Sequence, residues 1–316
     1  RAGATVHGLL PQLPADPVQR LPALIVAGIV PAYLQQITTQ LAQLPPATAC
    51  VSDSPLLAGS TELQLRQPPR QASALAQIDP SLDTLAWQDG QIVIGAGCSV
   101  AELALSPLLA AHLPALPHIL QHVASSAIRQ RATVGGNLVN ASPIADLAVL
   151  LLALDAQLTL RSAQGERSLP LAQFYRGYKQ LDLLPGEILA TISFAPPAGQ
   201  LHFEKVAHRD YLDIASVNSA LLLQRDGPRI IHARFAAGGV APVPLRLAAV
   251  EHALQGAELT PAHAMHVAEL AAAQITPISD IRGSARYKRL LLRQQLLAAL
   301  LALVPGLNPN AVMELL

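Results

Sequence analysis

The strongest constraint on this chain is a four-residue break, Pro196-Pro197-Ala198-Gly199. Neither proline can donate a backbone hydrogen bond, and the glycine that follows loosens the backbone, so no helix or central strand runs through it. The chain is therefore expected to fold as blocks on either side, and 316 residues suit about two ordinary domains. A boundary is expected near 197–201. A poorly specified connector over 1–50 precedes the first block, because Pro11, Pro14, Pro17 and Pro22 break any regular period. Within it, one short helix is expected over 31–44, closed by Pro45-Pro46.

The block from 51 to 197 mixes short strands with short helices. An apolar strand over 55–58 is expected to end in Gly59-Ser60-Thr61-Glu62. Asp89-Gly90 is a hairpin turn, and the β-branched run after it stops at Gly95-Ala96-Gly97. Ser99 and Glu102 form a capping box ahead of a helix over 100–106. A further helix is expected over about 117–125. Asp146 opens an apolar helix over 147–154, strands at 157–160 and 167–169 flank Ala163-Gln164-Gly165, and another strand spans 188–194. Beyond the break, strands at 203–206, 216–223 and 230–236 precede helices at 248–254, 262–274 and 284–303. That order suggests an antiparallel sheet backed by helices.

Composition removes several function classes. Apolar residues make up 51% and charged residues 13%, so disorder is not the dominant state. Twenty-one basic and 21 acidic residues give zero net charge, which leaves no broad basic field for nucleic acid. The most apolar runs, 21–30, 147–154 and 296–304, fall short of the roughly 18–20 residues that cross a bilayer. No membrane partner is expected, and the expected setting is cytoplasmic. Cys50 and Cys98 alone cannot build a disulfide framework, a zinc finger or an iron–sulfur site.

Two glycine turns carry the chemistry. One is Leu56-Leu57-Ala58-Gly59-Ser60-Thr61-Glu62-Leu63, and the other is Thr133-Val134-Gly135-Gly136-Asn137. Backbone N–H groups in such turns can form anion-binding concavities, and glycine lets a phosphate approach closely. Ser60, Thr61, Thr133 and Asn137 add short polar donors, and Asp146 is placed to accept from ribose hydroxyls. Either turn alone reads more readily as an ordinary tight turn; together they point to a dinucleotide diphosphate. The spacing is not that of the Rossmann fingerprint, and no nucleophile-elbow motif is present. His118 and His122 stand at i, i+4 without a third ligand, which favours a core or solvated pair over a metal site. Asp210, Asp213 and His208 suggest acid–base chemistry only weakly.

The run Ala132-Thr133-Val134-Gly135-Gly136-Asn137-Leu138-Val139-Asn140-Ala141-Ser142-Pro143-Ile144-Ala145-Asp146 resembles the signature of the flavin domain of molybdenum hydroxylases. The turn at 56–63 resembles that family's other flavin-diphosphate loop. Its Gly-Ser-Thr-Glu form is closer to xanthine dehydrogenases than to the carbon monoxide dehydrogenase branch. Phe174-Tyr175-Arg176-Gly177-Tyr178, Leu184-Pro185-Gly186-Glu187 and Asp280-Ile281-Arg282-Gly283-Ser284-Ala285-Arg286-Tyr287 are similar to further family segments. The resemblance implies an α+β fold. An FAD-binding domain of the PCMH (vanillyl-alcohol oxidase-like) type, with two α/β lobes, would occupy 51–197. A CO dehydrogenase flavoprotein-like α+β domain would occupy 201–305.

The same resemblance implies FAD as cofactor. Its contacts would fall on Leu56, Leu57, Ala58, Gly59, Ser60, Thr61, Glu62, Leu63, Val123, Thr133, Val134, Gly135, Gly136, Asn137, Asp146, Leu183 and Lys205. Val123 would pack against the ring where animal relatives stack an aromatic, Leu183 would give backbone and apolar contact, and Lys205 would favour the anionic reduced flavin. The implied function is electron transfer in a xanthine dehydrogenase-like enzyme, from two-iron two-sulfur clusters through FAD to NAD. Molybdopterin would sit on a partner large subunit. No Cys-x-x-Cys pattern precedes the flavin region, so the iron–sulfur domain or subunit is expected on a partner or on a separated segment. Two alternatives stay open: the flavin subunit of a hydroxylase acting on an aldehyde, carbon monoxide or an N-heterocycle, and a non-catalytic assembly module of the same fold.

Overall fold

A computed structural model describes residues 13–14, 16–43, 58–59, 61–62 and 80–315. The chain divides after Thr48 into two units. In the first unit, a helix spans Pro17–Val26 with Pro22 inside it. The prolines therefore do not abolish helix here. Pro17 opens the helix, where its missing N–H has no intrahelical partner, and Pro22 forfeits a single backbone bond. The single helix expected over 31–44 is also corrected. A 3₁₀ turn at Ala32–Gln35 precedes a separate helix at Ile37–Ala42. The Gln36 N–H turns back to the Tyr33 carbonyl at 3.1 Å, which interrupts the α-helical ladder.

The second unit begins its described sheet with β1 (Leu85–Gln88) and β2 (Gln91–Gly95). Asp89 and Gly90 adopt φ of 50° and 77°, the left-handed pair that a two-residue hairpin requires, and Gln88 pairs with Gln91 across them. β3 (Gln157–Ser162), β4 (Gly165–Pro170) and β7 (Ile188–Phe194) complete an antiparallel sheet in the order β1-β2-β7-β3-β4. Between them, β5 (Tyr175–Gly177) and β6 (Gln180–Leu181) form a small separate ribbon. Ile92, Ile94, Leu158, Leu160 and Ile192 alternate onto one buried face of the larger sheet. Against it lies the helix Asp146–Ala153, every residue of which after Asp146 is buried.

Residues 195–199 lead into the second sheet, β8 (Gln200–Val206), β9 (Val217–Asp226), β10 (Arg229–Gly238) and β11 (Leu245–Arg246), ordered β11-β10-β9-β8. Its two faces follow the period of two. Leu221, Leu223, Ala233 and Phe235 enter a core with the helices Ala248–Leu254, Pro261–Gln274 and Ala285–Leu303. Ala220 and Ala236 point the other way and join the first core, against Asp146–Ala153. The proline break therefore separates two sheets without separating two bodies. An all-apolar helix cannot be satisfied by one sheet face, and small alanines on β9 and β10 let a second sheet close on its other side.

Candidate functional site

The second glycine motif is the start of a helix rather than a free turn. Thr133 caps the helix Val134–Val139, and its Oγ1 accepts from the Gly136 N–H at 3.0 Å. The Val134 N–H donates to the Cys98 carbonyl and the Gly135 N–H to the Ala96 carbonyl, both at 2.9 Å. The Asn137 N–H donates to the Thr133 carbonyl at 3.0 Å. The N–H groups expected to point at a diphosphate are thus already bonded within the protein. Glycine serves close packing instead: a Cβ on Gly135 would lie 2.6 Å from the Ala96 Cβ and 2.7 Å from its carbonyl oxygen. Gly136, by contrast, is exposed, and a Cβ there would meet only the capping hydroxyl, at 2.9 Å.

Of the first loop, Ala58, Gly59, Thr61 and Glu62 are described and partly buried; Leu56, Leu57, Ser60 and Leu63, with the rest of the expected strand, lie outside the described residues. Gly59 rests on the backbone just ahead of Thr133. A Cβ on it would fall 1.7 Å from the Arg131 carbonyl oxygen, and the Arg131 Nε donates to the Gly59 carbonyl at 3.5 Å. The first glycine loop therefore rests on the residues that immediately precede the second motif, more than seventy positions away in sequence.

At the start of the Asp146–Ala153 helix a polar cluster ties the second sheet to the first block. Lys205, on β8, donates to Asp146 Oδ2 at 2.7 Å and to the His122 carbonyl at 2.9 Å. Asn218, on β9, donates to Asp146 Oδ1 at 2.5 Å and to the Ile144 carbonyl at 3.3 Å. The Lys205 and Asp146 side chains are only 10% and 12% exposed, so Lys205 is no surface lysine paired with its neighbour; Glu204 turns to His202 instead. Asp146, expected to receive ribose hydroxyls, has each oxygen engaged by a protein donor. Asn137 Oδ1 is buried without a hydrogen-bond partner, which leaves an acceptor suited to a ligand hydroxyl or amide. The exposed Gly136, the capping Thr133 hydroxyl and this orphaned oxygen fit a polar, closely approaching ligand such as FAD.

The remaining expected contacts sit at the edge of the first core. Val123 belongs to that core, and Leu183 packs partly buried against it. Leu183 lies in a segment held by ion pairs: Arg167 bonds Glu187 at 2.6 Å and Asp182 at 3.2 Å, and Glu187 accepts the Leu184 N–H at 2.8 Å. The hydrogen bond from Arg167 holds the Glu187 carboxyl below its ordinary range, and Arg176 does the same for Asp182.

The loop after Lys205 returns to the first block. Tyr211 stacks on His122 with centroids 5.1 Å apart, and His122 Nδ1 lies 3.1 Å from the Asp210 carbonyl. His118 meets His122 edge-on. Asp213 accepts the Arg209 and Ile214 N–H groups, which fixes the loop rather than leaving a free acid. Asn218 and Arg167 were not anticipated. Asn218 carried a weak signal, as an amide just ahead of the apolar run Ala220–Leu223 of its strand; Arg167 carried none.

Known proteins are similar to this chain in sequence and fold. A profile of the FAD binding domain in molybdopterin dehydrogenase matches residues 26–197, and one of the CO dehydrogenase flavoprotein C-terminal domain matches residues 202–303. The chain is 32% identical to the xanthine dehydrogenase FAD-binding subunit of Escherichia coli O157:H7 over 205 residues, 64% of this chain and 70% of the relative. It is 30% identical to the carbon monoxide dehydrogenase medium chain of Hydrogenophaga pseudoflava over 256 residues, 79% and 88% of the two chains. Its fold is similar to a chain in the crystal structure of quinoline 2-oxidoreductase from Pseudomonas putida 86, with TM-score 0.73, 29% identity and 87% and 95% of the chains covered.

Proposed function

Given that this chain belongs to the FAD-binding flavin subunits of the molybdenum hydroxylase family, we propose that it carries electrons within a xanthine dehydrogenase-like enzyme. It would receive them from iron–sulfur clusters on a partner and pass them to NAD. Substrate oxidation would occur on a molybdopterin-binding large subunit. Bound FAD supplies the step from single-electron to paired-electron transfer. The observation that carries the reading is the contact of Gly59 with the backbone at Arg131 and Ala132, which brings both expected diphosphate loops to one place.

The chain's own residues would act as follows. Thr133 accepts from Gly136 and keeps its hydroxyl proton for a phosphate oxygen. With the Val134–Asn137 N–H groups used internally, the first loop would have to supply the backbone donors. Lys205 brings a fixed positive charge, oriented by Asp146 and the His122 carbonyl, to the seam between the sheets. Val123 and Leu183 would exclude water from an apolar ring. No helix among the described residues is long and apolar enough to cross a membrane.

The Gly-Ser-Thr-Glu form of the first loop favours a purine substrate. The relatives named for carbon monoxide and quinoline favour keeping a second reading, in which the same subunit serves a different hydroxylase. The test begins with the purified chain, expected to be yellow with a flavin spectrum or to become so with added FAD. A colourless protein that cannot be loaded ends the reading, and Gly136→Glu, at the exposed start of the Val134–Val139 helix, should abolish loading on an intact fold and so separates cofactor binding from a bare scaffold. Co-purified partner chains assayed with xanthine, aldehydes and N-heterocycles, and with NAD or oxygen as acceptor, then decide between the two readings.

A further inference from the structure

The segment Gln121-His122-Val123-Ala124 leaves the helix Leu116–Gln121, which stops short of the expected 125, with all of its carbonyls aimed at cations. Arg129 Nη1 donates to the carbonyls of Gln121 at 3.1 Å, Val123 at 3.1 Å and Ala124 at 2.8 Å. The fourth, that of His122, is taken by Lys205 at 2.9 Å. Nη1 carries only two hydrogens, so at least one is shared among its three acceptors. Ala124 sits at φ 51°, a left-handed conformation that a non-glycine residue adopts at a cost. The guanidinium gathers the carbonyls on both sides of that bend.

Arg129 ends the short helix Ser126–Arg129, which continues directly into the Arg131–Ala132 backbone on which Gly59 rests. The Ala132 N–H returns to the Ile128 carbonyl at 2.7 Å, so this link is stiff. One side chain thereby ties the Val123 segment to both glycine motifs. Arg129 and the Ala124 turn are only partly buried, so water could solvate these carbonyls without it. What water could not do is fix their direction.

Resting on the FAD reading above, we propose that Arg129 is a positioning residue for the flavin. It would hold Val123 against the ring edge and keep the His122 carbonyl where it orients Lys205. Its removal would therefore act on cofactor affinity and on the surroundings of the bound flavin more than on folding. All three bonds leave from one nitrogen, so a lysine ammonium has enough N–H donors to match them; its shorter side chain and the loss of the planar group's fixed direction make it only a partial substitute.

The test measures FAD binding by fluorescence quenching in the full chain, with urea unfolding of the apoprotein and visible circular dichroism of the bound flavin. Arg129→Met is expected to raise the Kd for FAD about tenfold or more, as befits loss of charge-assisted bonds. It should also change the flavin dichroism while leaving apoprotein unfolding close to wild type. Arg129→Lys should recover only part of the affinity, and Arg161→Met, which breaks an exposed ion pair with Glu166, should change neither binding nor dichroism. Unaltered FAD affinity and dichroism in Arg129→Met overturns the proposal, as does a loss of apoprotein stability with no change in affinity. If Arg129→Met does not fold, Arg129→Lys decides: wild-type affinity and dichroism overturn the proposal, and weakened binding on an intact fold supports it. A wild-type chain that takes up no FAD sinks the functional reading itself, a different result from a variant that binds as well as wild type.

Discussion

Lys205 Nζ and Asp146 Oδ2 lie 2.7 Å apart although 59 residues separate them, and each side chain is almost entirely out of water. Their contact is where β8 of the second sheet meets the first turn of the helix that both sheets share. Replacing Lys205 with Met strands a buried carboxylate with only Asn218 to solvate it. The expected cost is about 3 kcal/mol or more in urea unfolding. Adding Asp146→Asn to that variant should restore part of the loss, because the unpaired charge disappears. A double variant no more stable than Lys205→Met would show that the pair is not coupled.

Glycine at 59 and at 135 is required by backbone approach, not by backbone conformation. Ala at 135 must displace Ala96, an overpacking cost of roughly 1–3 kcal/mol. Ala at 59 cannot coexist with the present position of the Arg131 carbonyl, so the two loops must part. The expected signature is divided: Gly135→Ala lowers the melting temperature, whereas Gly59→Ala weakens FAD binding about tenfold or more. Equal FAD affinity in Gly59→Ala and wild type would rule out this junction as the diphosphate site.

The segment carrying Leu183 should come loose in acid. Glu187 and Asp182 titrate below their ordinary range in the folded protein, chiefly through hydrogen bonds from Arg167 and Arg176. Carboxylates held low contribute stability that is complete above the unfolded values, about pH 4, and is lost as pH falls through the folded ones. Arg167→Met should therefore destabilise the protein at pH 7 and differ progressively less from wild type towards pH 3. A pH-independent difference in urea midpoints would contradict the ion-pair account.

Cys98 should be chemically silent in the folded chain. Burial, reinforced by the nearby Asp83 and Glu102 carboxylates, pushes its thiol up to about 11, and the thiolate is the reactive form. In a Cys50→Ser background, a thiol reagent at pH 8 should label Cys98 only after denaturation. Rapid labelling of the native protein would mean that this part of the core opens readily.

The sequence was a good guide wherever a structure is closed by neighbours in the chain. The Asp89-Gly90 hairpin, the Ser99 and Glu102 capping box and the helix from Asp146 all rest on contacts spanning a few residues. The proline reading failed for the related reason that Pro17 and Pro22 matter by position within a helix turn, which composition does not show. The Thr133–Asn137 motif was found, but its reading as a free anion cradle was not. The Val134 and Gly135 N–H groups are used by Cys98 and Ala96, about forty residues earlier, and those of Gly136 and Asn137 by Thr133.

From its residues alone the chain determined most of the strands and helices between 85 and 303, the two glycine motifs and the family resemblance, since hydrogen-bond periodicity, capping and turn conformations are local. Only the tertiary structure decided that both sheets close on a single apolar helix, that Gly59 meets Arg131, and that Lys205 finds Asp146 and the His122 carbonyl. Those pairings depend on how two curved surfaces dock. Docking is settled by the shape and burial of side chains such as Ala220 and Ala236, which no local stretch of sequence encodes.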